Sequence, residues 1–213
     1  ECNPFRDIPT ETAACDAAIL QEAIAMKGKS VSGVFCVGIA TLDYVYGLDA
    51  IPASAEKYRA RDLSVVGGGL AANAAVAVAR LGGQSWLATR LGDDLTAAAI
   101  IAELEEEGVR TGHCRRFSGL RSPVSAILVD SAGERLVVSY SEPQMPVDPS
   151  WLPASLPEGI GAVLGDTRWE DGAATMFRVA RGRGLPAVLD GDRAPLHPDV
   201  LGLATHVAFS EQG

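Results

Sequence analysis

The run from Val66 to Gly83, VGGGLAANAAVAVARLGG, constrains this chain more than any other segment. Three successive glycines lead into a block whose only polar side chains are Asn73 and Arg80. Glycine weakens the interior of a helix or strand, so three together mark a junction. The Ala, Leu and Val block that follows predicts a helix over 70–82, apolar on every side and therefore buried. In α/β proteins ligands bind at the carboxyl ends of strands, often where a helix begins. Two readings of the junction stand level on spacing alone. In one, the bare backbone of Gly67, Gly68 and Gly69 lets a ligand approach and leaves N–H groups to donate, while the Asn73 amide, donor and acceptor at once, bridges hydroxyls of a polyol. In the other, the glycines make a tight turn and let the helix pack closely.

The rest of the chain has the rhythm that such a junction requires. VFCVGIAT, residues 34–41, is a continuous apolar run and predicts a buried strand. Two shorter strand-like pieces, YVYGLDAI and KYRARDLSVV, follow within 44–66, split by Pro52. A strand is expected over 84–91, then a helix over 95–107 capped by Asp94 and stopped by Gly108. Alternation over 123–129 and 135–140 around Ser131-Ala132-Gly133 reads as a hairpin. Strands at 162–166, 186–190 and 205–209 and a helix at 171–182 complete the pattern. Strands alternating with helices imply an α/β fold, a mostly parallel sheet with helices on both faces. The pieces at about 44–66 and 113–140 break that rhythm and suggest a small β lid. Residues 1–30 read as an N-terminal extension with one helix over 10–25, capped at Thr10 or Thr12; residues 31–213 form the main domain. The chain stops just after an expected strand, which reads as the front part of a longer protein, truncated at the C-terminus.

Composition sets outer limits. The 213 residues suit one α/β domain with a small appendage, and 47% hydrophobic residues allow a sizeable core. A net charge of −9 argues against a nucleic-acid partner, whose phosphates want a basic face. No apolar run reaches membrane-span length and no segment has a signal-peptide layout, so a soluble, cytoplasmic protein is expected. Cys2, Cys15, Cys36 and Cys114 lack CxxC spacing, and Cys36 within VFCVGI reads as a small buried thiol. His113, His197 and His206 lack ligand spacing, and no metal-ligating residue is assigned.

Cations offer a further pattern. Lys57, Arg59 and Arg61 alternate, so on one strand they share a face. Arg168 follows an apolar strand in VLGDTRW, at the end where ligands bind. If the lid folds over the pocket, Lys57 and Arg168 meet around an anionic substituent, which arginine grips with two parallel N–H bonds. The alternative is a solvated basic stripe and a surface ion pair.

The segment from Gly68 to Gly92 resembles the first signature of the ribokinase-like (PfkB) carbohydrate kinase family: Gly68-Gly69, Ala71, Asn73, Ala75, Gly82 and Gly92 stand at its spacing. VGIATLD, which puts Asp43 at the end of the first strand, RLGDD and the lid strands resemble it too. The resemblance runs from about residue 34 to the end. It implies ATP- and Mg²⁺-dependent phosphorylation of a hydroxymethyl group on a sugar held between body and lid. Asp43, Gly68, Gly69 and Asn73 would contact that sugar. Further stretches, SAILVDSAGERLVVSY, DTRW-x-DGA, VLDGD and HVAFSE, resemble one branch, the 6-deoxy-6-sulfofructose kinases. There Lys57 and Arg168 would hold a sulfonate, with Ser139 where the branch has asparagine. The product would be the 1-phosphate.

Two departures accompany the resemblance. The family's Gly-Ala-Gly-Asp-type helix start, which supplies the general base, occurs nowhere in the chain, so the base is expected beyond residue 213 and this fragment alone is expected to be inactive. At FSEQG, Ser210 and Gly213 replace the family's Asn and Glu, which leaves Glu211 without a secure metal role. The family's lid pairs with a second copy, so a homodimer through the lid is expected. Rival readings are a fructokinase- or ribokinase-type enzyme for an uncharged sugar, a non-catalytic sugar-binding module, and a Rossmann oxidoreductase, the last opposed by Ala72 where G-x-G-x-x-G needs glycine.

Overall fold

The structure, a computed structural model, describes residues 33–197 and 199–209. The helix expected at 10–25, Cys2, Cys15 and the terminal Ser210, Glu211 and Gly213 lie outside the described residues. Ten strands are described: β1 (Gly33–Val37), β2 (Thr41–Gly47), β3 (Asp62–Gly68), β4 (Ser85–Gly92), β5 (Val109–Phe117), β6 (Val124–Val129), β7 (Arg135–Tyr140), β8 (Ile160–Asp166), β9 (Ala187–Gly191) and β10 (His206–Phe209). The helices are α1 (Leu70–Arg80), α2 (Leu95–Glu106), α3 (Glu170–Gly182) and α4 (Asp199–Leu203).

Six strands form one sheet in the order β10-β9-β8-β1-β4-β5, and every pairing in it is parallel. Chain direction therefore runs outward from β1 through β4 to β5, then jumps to β8 and runs out the other side. This is the doubly wound arrangement, with its topological switch point between β1 and β8. The sheet is buried on both faces, as alternate residues of β1 show. Phe35 and Val37 pack with Ala173, Met176 and Phe177 of α3, whereas Cys36 packs with Ala71 and Ala75 of α1 and Ile100 and Leu104 of α2. Burial, and then the negative charge of Asp166, push the Cys36 thiol up to about 12, so it is an inert core group.

A second sheet, β3-β2-β6-β7, is inserted between β1 and α1 and completed after β5. Its outer pairs are antiparallel and β2–β6 is parallel. The hairpin expected around 131–133 is β6–β7. Within the described residues no helix is long and apolar enough to cross a membrane.

Four expectations require correction. Residues 113–117 do not belong to the lid: they extend β5, whose partner is β4 in the main sheet. Lys57, Arg59 and Arg61 do not share a strand. The β2–β3 ladder ends at Gly47 opposite Asp62, and past the Arg61 N–H, which donates to the Gly47 carbonyl at 2.7 Å, residues 57–60 are irregular and exposed. The apolar run at 34–41 breaks after Val37, so Asp43 sits in lid strand β2 rather than at the end of β1. Helix α1 is not buried all round: Ala71, Ala72 and Ala75 are buried, but Asn73, Ala77 and Arg80 are exposed. Alanine and valine were too small a signal to tell a packed face from a merely apolar one.

Candidate active site

The glycine junction joins lid to body. Gly67 and Gly68 end β3, and Gly69 is the N-cap of α1 at φ 97°, a conformation that L side chains rarely adopt. A Cβ on Gly69 would lie 2.5 Å from the Ile39 carbonyl oxygen, and one on Gly68 would meet the Asp43 carboxylate and lie 2.7 Å from Thr41 Oγ1. Thr41 Oγ1 in turn donates to Asp43 Oδ1 at 2.8 Å. The bare main chain thus lets Asp43 reach the mouth of the helix. It does not leave every donor open. Gly67 N–H donates to Glu103 Oε1 (2.7 Å), Ala71 N–H to Asp166 Oδ2 (3.2 Å) and Ala72 N–H to the Ile39 carbonyl (3.3 Å). The Asn73 side chain is exposed on the next part of the turn.

Asp43, Ser125 and Ser139 form one row across the lid: Asp43 is the register partner of Ser125, and Ser125 of Ser139. Register partners point to the same face, so these three polar side chains share it. Ser125 is buried and Ser139 exposed.

A cavity of about 360 Å³ opens at the carboxyl ends of β1, β4, β8 and β9. Its floor includes Gly38 and Ile39, the segment 141–147 closes one side, and Arg90, Arg168 and Arg193 line it. Three arginines and one carboxylate, Glu142, line it, so its charge is net cationic. Each arginine is held differently. Arg168 pairs with Asp192, its Nε donating to Oδ2 at 2.8 Å and its Nη2 to the same oxygen. Asp192 would be raised by burial, but the bonds from Arg168 and Thr167 prevail and hold it below the usual carboxylate value. Arg193 Nη2 donates to the Thr167 carbonyl (2.9 Å). Arg90 donates to the carbonyls of Pro146 and Arg168, both at 3.1 Å, and lies 4.7 Å over the Trp169 ring. Burial lowers Arg90 to about 10, which leaves it charged at neutral pH.

At the switch point between β1 and β8 sits Asp166, 0% exposed. Its Oδ2 accepts from Ile39 N–H at 2.7 Å and from Ala71 N–H, and its Oδ1 from Arg168 N–H at 2.9 Å. One carboxylate therefore joins the turn after β1, the first turn of α1 and the loop that carries Arg168. Burial raises Asp166 to about 6 against the pull of these donors.

Of the residues singled out in the sequence, Arg168 lines the cavity; Asp43, Gly68 and Gly69 lie together at the lid–body junction, tied to the cavity wall through Asp166. Lys57 lies in the exposed segment before β3. Asp166, Arg90, Arg193 and Asp192 were not singled out. A signal existed for two of them. Asp166 is a carboxylate ending an apolar strand, the criterion applied to Asp43, and Arg90 interrupts the apolar strand SWLATRLG. Asp192 closes the stretch VLDGD, but neither its pairing with Arg168 nor the place of Arg193 carried a signal, because both depend on packing of two loops distant in sequence.

A doubly wound α/β body with an inserted β lid and a cavity at the switch point is the build of a lidded small-molecule-binding protein. Residues 31–212 match the sequence model described as pfkB family carbohydrate kinase, and the chain belongs to that family. It is similar to a ribokinase of Bacillus subtilis (strain 168), 32% identical over 102 residues covering 48% of this chain and 35% of the relative. It is also similar to fructokinase-1 of Oryza sativa subsp. japonica, 37% identical over 76 residues covering 36% of this chain and 24% of the relative. Among solved structures, a provisional ribokinase from Agrobacterium tumefaciens superposes with a TM-score of 0.73 at 34% identity, covering 85% of this chain and 60% of that one. The ribokinase of Arabidopsis thaliana complexed with ribose and ATP has the same fold, with a TM-score of 0.67 at 20% identity over 84% of this chain and 60% of that one. The chain thus spans about a third or less of the two curated relatives and 60% of these structures.

Proposed function

We propose that this chain is part of a sugar kinase of the ribokinase and fructokinase type, which transfers a phosphoryl group from ATP to a hydroxymethyl group of a ketohexose derivative. The observation that carries the substrate reading is the cationic cavity at the carboxyl end of the sheet, with Arg90, Arg168 and Arg193 on its wall. It suits a sugar with an anionic substituent, 6-deoxy-6-sulfofructose being the reading the sequence favours, with its 1-phosphate as product. In this reading Asp43 accepts from sugar hydroxyls, Asn73 bridges them, and Gly68 and Gly69 provide the close floor. Arg168 takes the anionic group. Lys57 and Ser139 complete its cage once the lid closes.

ATP would be the phosphoryl donor, and Mg²⁺ would supply charge neutralisation at its phosphates. Among the described residues no cluster of three His, Cys, Asp or Glu side chains is arranged to hold a metal ion, so no ligand for Mg²⁺ is assigned to them. What these residues contribute is orientation and exclusion of water. The lid row Asp43–Ser125–Ser139 and the arginine wall position the sugar, which converts an encounter into a directed attack.

A second reading has one observation in its favour. Arg168 is already paired with Asp192, which offsets part of the cavity's charge and suits an uncharged fructose or ribose. The two are separated by assaying ATP consumption by the full-length gene product with sulfofructose, fructose, fructose 6-phosphate and ribose. With Arg168→Met, kcat/KM for the anionic sugar should fall at least tenfold while uncharged sugars change less than twofold. Equal effects on all sugars would remove the anionic reading, and no turnover of any sugar would leave a binding module.

A further inference from the structure

We propose that Asp166 is the positioning residue of the cavity: one buried carboxylate sets the placement of the Gly38–Ile39 turn, the start of α1 and the Arg168 loop relative to each other. The proposal rests on the sugar-site reading for its kinetic consequence, but its geometry stands independently.

The hydrogen bonds to Asp166 are long-range in sequence. Ile39 and Arg168 border the cavity directly, and Ala71 begins the helix that carries Asn73. The three segments come from β1, the lid return and β8; the β1–β8 ladder ends at Val37 opposite Gly165, one residue before Gly38 and Asp166, and no ladder joins either strand to the start of α1. The carboxylate stands where such a ladder cannot continue. It also fits with no spare room, since a Cβ on Gly38 would overlap its oxygens. Both oxygens accept main-chain N–H groups, so Asp166 is filled by the protein itself and acts through what it holds.

This arrangement requires an acceptor on both sides of the group. An asparagine offers one oxygen and one NH₂, so in either flip the NH₂ faces an N–H donor. A protonated carboxyl has the same defect. The ionisable and charged groups around Asp166 are few. Cys36 of β1 and Arg90 of β4 feel its charge, Arg168 lies on its own loop, and the first turn of α1, Leu70 to Asn73, contributes none. The Arg90 guanidinium is thus a countercharge whose own value Asp166 helps to keep up.

The test compares Asp166→Asn with the unaltered full-length product. Amide hydrogen exchange without substrate should show Ile39, Ala71 and Arg168 losing at least tenfold protection together, while amides in the middle of β4 keep theirs. With the preferred sugar, KM for the sugar should rise about tenfold and KM for ATP should stay within twofold. A purely structural aspartate would lower the amount of folded enzyme, which alters apparent kcat and leaves KM alone. Unchanged sugar KM, or equal rises for sugar and ATP, overturns the proposal. If the product phosphorylates no sugar, the kinase reading fails and the exchange result alone decides this one. Should Asp166→Asn fail to fold, the amide resonances of Ile39, Ala71 and Arg168 in the unaltered protein decide. As the pH is lowered and the carboxyl takes up its proton they should shift together along a single curve; separate midpoints for the three amides overturn it.

Discussion

Asp43 and Asp166 are both carboxylates near the same junction, yet their surroundings give them opposite uses. Asp43 keeps a half-exposed side chain beside Gly68, with Thr41 as its donor, and so can still accept from a ligand. Asp166 is sealed and spends its lone pairs on the main chain. Burial raises its value in the folded protein to about 6, above the ordinary aspartate value near 3.9 in an unfolded chain. Between those two values the folded state binds the extra proton. Its contribution to stability is therefore favourable in acid and is lost as pH rises through that window. Urea unfolding of the unaltered protein, referenced to Asp166→Asn, should show relative stability falling by about 2 kcal/mol from pH 4 to pH 7. A relative stability that rises with pH would mean that the backbone donors outweigh burial. With its value raised, the residue trades stability at neutral pH for a correctly shaped cavity, as functional groups often do.

At the scale of elements, helix ends show how local chemistry and long-range packing combine. Helix α2 begins where the sequence says it should: Asp94 Oδ1 accepts from Ala97 N–H at 2.8 Å. The same side chain also accepts from Ser122 N–H (2.8 Å) and Ser122 Oγ (2.7 Å), which ties the cap to the entry of β6. Burial alone would raise Asp94, but these donors together hold it below its ordinary value. Asp94→Ala should cost about 2 kcal/mol, the upper end for a cap, because two long-range bonds go with the local one. Denaturant unfolding checks it; a loss of only a few tenths would show that the Ser122 bonds contribute nothing. Helix α1 has no such side-chain cap. Its first turn relies on Asp166 and the Ile39 carbonyl, so its start is set by tertiary structure.

For the whole molecule, the lid is the element with surface still uncovered. Leu63, Val65, Leu136 and Val138 fall on one face by strand alternation and are exposed, Val138 at 61%. Exposed apolar patches of this kind mark contact surfaces, and pairing through the lid remains the proposed assembly. Val138→Asp should leave unfolding free energy within about 0.5 kcal/mol and convert a dimer to a monomer in sedimentation. A monomer before the change, or a dimer after it, would place assembly elsewhere. The lid rests on the body through β2 and β3, which pack on α2, with Gly67 N–H donating to Glu103.

What the amino-acid order determined by itself was whatever depends on near neighbours: the alternation of strands and helices, the hairpin at 131–133, the Asp94 cap and the glycine junction. Propensity, turn chemistry and hydrophobic period act over a few residues, and they are readable there. Tertiary structure alone decided which sheet β5 joins, that Lys57 is off the ladder, and that α1 buries one face. It also brought Arg90, Arg168 and Arg193 onto one wall and placed Asp166 beneath them. Those outcomes rest on contacts between residues up to 127 positions apart. A pairing at that distance is set by how whole elements pack, and no short stretch of sequence holds the information.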